Sequence, residues 1–197
     1  MSDDDVLAGG RPAWRPAMPR AEAARWVLGS IYRPSVFHAT SREAAEAIRR
    51  EGFDLRRRTF GRIWGIGVYA TPERTVAEAY RAAVSGGDPV IVELAIRVRR
   101  ILAVEAQPGD KRPDFLNRIL DSMEDGRNRW FHEMVNQRLR GETEAAAVAL
   151  RLAVQAAGYD ALEVRELEMS AEIGGTQLVI YEPSNVVVIE DDEHSHG

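Results

Sequence analysis

The chain has 197 residues, of which 45% are hydrophobic and 29% charged, and it contains no cysteine. This composition indicates one globular soluble domain with its own core, and the absence of cysteine excludes disulfides, thiolate metal sites and a catalytic thiol. The formal net charge of −5 gives no whole-chain reason to expect nucleic acid or an anionic membrane as a partner.

The two ends of the chain differ from its body. Residues 1–18 contain prolines, glycines and few large apolar side chains, which predicts a flexible arm, and residues 191–197 form an acidic tail that we expect to be disordered. The acidic start is unlike a signal peptide, and no apolar run approaches the ~20 residues needed to span a bilayer. A single domain over residues 19–190, in the cytoplasm and without membrane contact, is therefore expected.

Helices and short strands alternate in the first half of this domain. Thr40, with Glu43 three residues later, predicts a capped helix start, and Gly52 predicts the end of that helix. Thr71-Pro72-Glu73 predicts another start, with a proline at the first helical position. The predicted elements are a helix over 20–28, a strand over 36–39, a helix over 40–52, a strand over 66–70 and a helix over 71–84.

Strands dominate the second half, on both sides of a helical insert. Val90, Val92, Leu94 and Ile96 alternate with other side chains, which is the periodicity of a half-buried strand. Strands are predicted over 89–98, 101–104, 161–164, 177–181 and 186–189, and the insert over 113–157 is predicted to end in a helix over 142–157. The predicted class is α+β, with two small packed sheets and helices outside them.

Three segments carry polar or small residues at strand ends. His38 ends a strand just before a helix, Gly65 and Gly67 precede a strand that contains Tyr69, and Gln177 opens an apolar strand. The two glycines permit a close backbone approach or a left-handed turn. They precede their strand and do not follow it, which excludes a Rossmann dinucleotide loop. Each segment alone is equally typical of ordinary core packing.

Taken in order, the segments resemble a known family. His38, Gly65-x-Gly67-Val68-Tyr69, Tyr80 and Gln177-x-Val179-x-Tyr181-x-Pro183-Ser184 are similar to the motifs of ADP-ribosyltransferases of the His–Tyr–Glu type, which include poly(ADP-ribose) polymerases and diphtheria toxin. The resemblance spans about residues 34–190, although the insert matches no motif. It implies a split β-sandwich fold and NAD⁺ as co-substrate.

The resemblance also implies roles for single residues. His38 would hydrogen-bond a ribose hydroxyl, the backbone of Ala39 would hold the nicotinamide amide, and Tyr69 and Tyr80 would offer aromatic faces to the cationic nicotinamide ring. His38, Tyr69 and Gln177 would form the catalytic set. Further residues expected along NAD⁺ are Thr40, Gly67, Arg57 and Arg58.

The third motif position departs from the family, because Gln177 stands where its best-known members have glutamate. Nicotinamide leaves from a centre that resembles an oxocarbenium ion, which a carboxylate stabilises through its charge. An amide can hydrogen-bond the ribose hydroxyl but brings no charge, so mono-transfer or hydrolysis is expected in preference to chain elongation. Glu172 or Glu182 could supply a carboxylate, although strand alternation points Glu182 away from the face of Gln177.

Arginines crowd the connection between the His38 helix and the Tyr69 strand. Guanidinium groups suit the diphosphate of NAD⁺ and equally a nucleic-acid acceptor, and a solvated basic loop is an equal alternative. The arginines are Arg49, Arg50, Arg56, Arg57, Arg58 and Arg62.

The expected activity is mono-ADP-ribosylation of a protein or nucleic-acid acceptor. Two alternatives stay open, namely an NAD⁺ glycohydrolase and a module that binds NAD⁺, ADP-ribose or nucleic acid without catalysis. No His/Asp/Glu cluster has metal-ligand spacing, so no metal is expected. Family habits point to a toxin, defence or phage-related role, with an antitoxin or immunity protein as a possible partner.

Overall fold

A computed structural model describes residues 16–57, 64–83, 88–105, 119, 121, 143–166 and 175–190. These parts of the chain form eight strands and four α-helices. The strands are β1 (Ala17–Pro19), β2 (Val36–Ser41), β3 (Val68–Ala70), β4 (Pro89–Ile96), β5 (Ile101–Glu105), β6 (Ala161–Glu166), β7 (Gly175–Ile180) and β8 (Val186–Glu190). The helices are α1 (Arg20–Trp26), α2 (Arg42–Glu51), α3 (Arg74–Ala83) and α4 (Thr143–Ala156).

The strands form two four-stranded sheets, which confirms the α+β class. The first sheet has the order β1-β8-β4-β2 and the second the order β3-β7-β6-β5. Both are mixed, because β1 pairs with β8 and β5 with β6 in parallel, whereas the other pairs are antiparallel. Neighbours in each sheet therefore come from distant parts of the chain.

The main core lies between the two sheets. Alternate side chains of β2, β4 and β8 meet alternate side chains of β3 and β7, and this packing buries them from water. The buried residues include Val36, Val92, Leu94, Val188, Val68, Leu178 and Ile180. Because these residues recur at every second position, the strand periodicity of the sequence follows from this core.

The second sheet is covered on its other face as well. Leu150 and Val154 of α4 pack there with Trp64 against Leu162 and Val179. Because β7 is covered on both faces, its sequence is a continuous apolar run. Every residue from Leu178 to Tyr181, which directly follows the strand, is buried. On the outer face of the first sheet, α1 packs through Ala23.

One isolated bridge joins the sheets. The backbone N–H of Phe37 donates to the carbonyl of Thr71 at 2.8 Å, and the N–H of Thr71 donates to the carbonyl of Phe37 at 2.9 Å. Phe37 lies in β2 at the edge of the first sheet, and Thr71 directly follows β3 at the edge of the second. The predicted histidine and tyrosine motifs therefore meet at this junction.

Two helix starts differ from the prediction. Ser41 caps α2, since its Oγ accepts the N–H of Ala44 at 3.2 Å, whereas Thr40 remains in β2 opposite Val90. The pairing with β4 extends β2 past Thr40, and a serine one residue later caps equally well. Gly52, at φ 82°, ends the helix as predicted.

The third helix starts at Arg74, later than predicted. Thr71 is held by its bridge to the first sheet, and its Oγ1 accepts the N–H of Glu73 at 3.2 Å. The same hydroxyl donates to the Glu73 carboxylate at 2.8 Å. The hydrogen bonds between Thr71 and Glu73 therefore form a turn before the helix, and they do not cap the helix itself.

The largest difference from the prediction lies at the N-terminal end, where residues 17 and 18 were expected in a flexible arm. Ala17–Pro19 instead forms β1, the N–H of Val188 donates to the carbonyl of Pro16 at 2.9 Å, and the side chain of Met18 is 5% exposed. So short a strand carries no readable periodicity, and it is stabilised by the otherwise unpaired edge of β8. Residues 1–15, the tail 191–197 and most of the predicted insert lie outside the described residues.

Candidate active site

The imidazole of His38 lies next to the Phe37–Thr71 bridge, where β2 meets the end of β3. Its Nδ1 donates to the backbone carbonyl of Tyr69 at 2.6 Å. In a continued antiparallel ladder after the Phe37–Thr71 bridge, that carbonyl would accept from the N–H of Ala39. The ring also meets Phe53 edge to face, at 5.3 Å between centroids and an interplanar angle of 81°.

This hydrogen bond determines which nitrogen of His38 carries the proton. A carbonyl can only accept, so Nδ1 is the protonated nitrogen, and Nε2 carries a lone pair when the ring is neutral. Burial lowers the pKa of His38 below its ordinary value of 6.5, although the bond to the Tyr69 carbonyl raises it in part. Neutral His38 therefore presents an acceptor at Nε2, which suits a ligand hydroxyl.

The backbone of Ala39 is directed away from β4, to the side on which Phe37 bonds Thr71. Successive residues of a strand direct their backbone N–H and C=O groups to opposite sides of the strand. Phe37 directs its N–H and C=O to Thr71. Ala39, two residues on, shares that direction, whereas His38 and Thr40 face β4. A donor and an acceptor thus lie side by side, which is the pattern that complements a carboxamide.

The hydroxyl of Tyr69 is engaged within the chain. It accepts the N–H of Trp64 and donates to the carbonyl of Gly65, each at 2.8 Å. Tyr181, directly after β7, also holds this loop, because its buried hydroxyl donates to the carbonyl of Trp64 at 2.8 Å. Burial raises the pKa of Tyr181 well above its ordinary range, which keeps this donor protonated. Tyr69 therefore contributes its ring and its carbonyl to the site, while its hydroxyl holds the preceding loop.

The two motif glycines have the two roles predicted for them. Gly65 adopts a left-handed φ of 97°. A Cβ on Gly67 would lie 2.7 Å from both the carbonyl oxygen of Ile180 and Cγ1 of Val179. The close approach at Gly67 is therefore made to β7, and it positions the strand that holds Tyr69.

Gln177 and Tyr80 form a second hydrogen-bonded pair. Gln177 Nε2 donates to the hydroxyl of Tyr80, across from the start of β7 to α3. Tyr69 pairs with Val179, and Gln177 lies two residues before Val179, so Tyr69 and Gln177 share one face of the second sheet. The four predicted residues thus form two hydrogen-bonded pairs, one between the His38 ring and the backbone carbonyl of Tyr69 and one between the side chains of Gln177 and Tyr80.

The arginine-rich connection is only partly described. Arg56 pairs with Asp54 at 2.9 Å and Arg50 with Glu51 at 2.8 Å, both on the surface. Local pairs of this kind fit the alternative of a solvated basic surface. Arg58, Arg62 and the side chain of Arg57 lie outside the described residues.

Of the two predicted auxiliary carboxylates, Glu182 is held at the far end of β7 from Gln177. The carboxylate of Glu182 accepts the N–H and the hydroxyl of Ser184, at 3.3 and 3.0 Å, beyond the far end of β7. This agrees with the prediction that Glu182 points away. Glu172 lies outside the described residues.

Comparison with protein-family models and with curated proteins finds no match for the chain. Among the described residues, no three His, Asp or Glu side chains come together as metal ligands. No helix in that part of the chain is long and apolar enough to cross a membrane.

Three contacts in the site have no signal in the sequence. They are the Tyr69 carbonyl as the partner of His38, the Tyr181 hydroxyl on Trp64, and the bond between Gln177 and Tyr80. Each joins residues from different strands or helices, so only the arrangement of the sheets reveals it.

Proposed function

We propose that the chain is an NAD⁺-dependent mono-ADP-ribosyltransferase with the split β-sandwich fold of the His–Tyr–Glu family. The observation that carries this proposal is the arrangement of His38, Ala39, Tyr69 and Gln177 on the strands that meet at the Phe37–Thr71 bridge and on the adjacent β7. His38 is bonded through Nδ1 to the Tyr69 carbonyl and so has Nε2 as an acceptor, the backbone of Ala39 is directed away from β4, and Gln177 shares one face of the second sheet with Tyr69.

In this proposal, the junction binds the nicotinamide riboside half of NAD⁺. Nε2 of His38 accepts a hydrogen bond from a ribose hydroxyl. The N–H of Ala39 donates to the carboxamide oxygen of nicotinamide, and the C=O of Ala39 accepts from its NH₂. The rings of Tyr69 and Tyr80 attract the cationic pyridinium through their faces. The methyl group of Ala39, where the family often has glycine, narrows the pocket without removing either backbone group.

The reaction breaks the bond between the ribose C1′ and the pyridinium nitrogen. Nicotinamide leaves as a neutral molecule with the bonding electron pair, and C1′ gains cationic character that a nucleophilic acceptor quenches. The acceptor loses its proton to solvent. Gln177 accepts a hydrogen bond from a ribose hydroxyl and so orients the sugar. Because nicotinamide is a good leaving group, the cationic C1′ needs less stabilisation from a carboxylate.

Gln177 also supports a second candidate, a module that binds NAD⁺ or ADP-ribose without turnover. An amide supplies no negative charge to the developing cation, and its hydrogen bond to Tyr80 holds it in place without any substrate. The histidine and backbone groups would still serve binding. A glycohydrolase, with water as the acceptor, is the third outcome to be distinguished.

The deciding experiment measures nicotinamide release and label transfer from NAD⁺ labelled in the adenosine part, with purified protein in a cell lysate. Label on a macromolecule supports the transferase. Nicotinamide release without labelled macromolecules indicates the glycohydrolase, and binding without release indicates the module.

Variants of Gln177 sharpen the assay. Gln177→Ala is expected to lower turnover, with a rise of ~1–3 kcal/mol in the activation free energy, because it leaves a buried polar partner unpaired. Gln177→Glu is expected to keep or raise it, because a carboxylate stabilises the developing cation better. A silent wild type together with a silent Gln177→Glu variant removes the enzyme proposal.

A further inference from the structure

The amide of Gln177 differs from a carboxylate in having two unlike ends. Its oxygen accepts hydrogen bonds, whereas its NH₂ group only donates them. A glutamate presents an acceptor oxygen to a substrate in either orientation of its head group. A glutamine does so only when something holds the NH₂ end away.

In this structure the Tyr80 hydroxyl takes the NH₂ end. Gln177 Nε2 donates to the Tyr80 oxygen, so Oε1 is left as the end that can face a ligand. We propose that Tyr80 is a positioning residue that orients Gln177 so that its neutral amide presents an acceptor where the family has a carboxylate. This inference rests on the proposed function, since it concerns the same ribose.

The packing of α3 on β7 supports this role, because the two elements meet at two successive points. Val76 lies one helical turn before Tyr80, and Gly175 lies two residues before Gln177. Val76 packs so closely that a Cβ on Gly175 would be 2.5 Å from its Cγ2. The spacing of Tyr80 and Gln177 is therefore set by this helix–strand contact.

The helix itself has little freedom to move away. Ala77, between the two contact residues, is 1% exposed, and α3 packs on β2 and β4 of the first sheet. Its N-terminal end is held by the turn between Thr71 and Glu73. Tyr80 thus holds the amide of the second sheet from a helix anchored on the first.

The orientation of the amide has a direct chemical consequence. With Oε1 toward the ribose, the amide dipole places its negative end near the developing positive charge at C1′. A reversed amide would place its NH₂ there and would oppose the charge. Loss of the Tyr80 hydroxyl should therefore lower kcat more than it changes KM, since the ring that contacts nicotinamide remains.

The test is a double-mutant cycle on nicotinamide release with Tyr80→Phe and Gln177→Glu. In the wild-type background, Tyr80→Phe is expected to reduce kcat about three- to tenfold, the size expected for one neutral hydrogen bond, with KM nearly unchanged. In the Gln177→Glu background, the same change is expected to reduce kcat less than about twofold. Tyr159→Phe, two residues before β6, is the matched control and should leave both constants unchanged.

A second measurement reads the contact without turnover. In a ¹H–¹⁵N spectrum of the side-chain amides, Gln177→Ala identifies the Gln177 pair by its disappearance. Tyr80→Phe should move this pair toward the shifts of an exposed glutamine, whereas Tyr159→Phe should leave it in place.

The outcomes separate the two proposals. An active wild type whose kcat and Gln177 resonances are unchanged by Tyr80→Phe overturns this inference alone. Equal losses of kcat in both backgrounds also overturn it, because the hydroxyl would then act on the fold and not on the amide. A wild type that releases no nicotinamide overturns this inference together with the proposed function.

Discussion

His38 shows how one hydrogen bond assigns a chemical role to a side chain. The backbone carbonyl of Tyr69 accepts from Nδ1, and this bond both orients the ring and leaves Nε2 as the acceptor. The same bond satisfies a carbonyl at the point where the two sheets separate. The structural and the chemical role of His38 therefore belong to different nitrogens and can be tested separately.

Two substitutions at His38 distinguish these roles. His38→Asn can still donate an amide proton to the Tyr69 carbonyl but lacks Nε2, whereas His38→Ala lacks both. Both substitutions are expected to slow nicotinamide release, because each loses ~2–4 kcal/mol of transition-state stabilisation. Only His38→Ala should also lose ~1–3 kcal/mol of unfolding free energy, measured by thermal or denaturant unfolding, because it leaves the carbonyl unpaired. Wild-type turnover in His38→Asn would contradict the role of Nε2.

The depressed pKa of His38 predicts a one-sided pH dependence. The folded ring binds its second proton less readily than the unfolded ring, whose pKa is near 6.5. The contribution to stability is complete above about pH 6.5 and is lost as the pH falls through the lower folded pKa. Nicotinamide release should likewise be level from pH 7 to pH 8 and decline only on the acid side. A rise in kcat/KM on acidification would contradict a neutral His38.

At the scale of elements, the loop before β3 is placed by its contacts with β7. Trp64 is fully buried, and its carbonyl and N–H are held by the hydroxyls of Tyr181 and Tyr69. Gly67 then passes directly against the backbone of β7, where no side chain fits. This loop aligns β3 with β7 and so places the tyrosine ring beside the glutamine.

Gly67→Ala is therefore expected to destabilise the protein. The added methyl group would meet the Ile180 carbonyl oxygen at 2.7 Å, and backbone cannot yield as a flexible side chain can. A loss of ~1–3 kcal/mol in unfolding free energy is expected from chemical denaturation, as for other overpacked sites. Gly29→Ala is the matched control, because no atom lies within 4 Å of its added Cβ. Equal stability of the two variants would contradict the close approach.

At the scale of the whole molecule, the proposed site draws its residues from both sheets. His38 and Ala39 come from the first sheet, and Tyr69 and Gln177 come from the second. The bridge from Phe37 to Thr71 links β2 of the first sheet to the end of β3 of the second. A ligand held by these residues would contact both sheets and should therefore stabilise the whole fold.

Thermal unfolding with NAD⁺ tests this coupling. At a concentration 100 times Kd, a ligand that binds only the folded state adds ~2.7 kcal/mol, which corresponds to about 5–10 °C in Tm for a chain of this size. The shift should shrink strongly in His38→Ala, with Gly29→Ala as the control that retains it. A wild-type Tm independent of NAD⁺ would contradict binding at the junction.

Much of the fold could be predicted from local patterns. The alternation in Pro89–Ile96 and the apolar run that ends at Ile180 follow from burial on one face or on two, and Gly52 ends α2 through its left-handed φ. The strand β1 was missed because three residues carry no period, and Ser41 replaced Thr40 as the cap because pairing with β4 extends the strand.

The sequence by itself determined the α+β class and the order of His38, Tyr69, Tyr80 and Gln177, because periodicity, caps and motif order are local properties of the chain. Only the tertiary structure decided how these residues are paired. The Nδ1 proton of His38 is assigned by a carbonyl of another strand, and the amide of Gln177 is held by a helix on the other sheet. Such contacts depend on strand register and on where buried polar groups find partners, and both are settled only when the two sheets pack together.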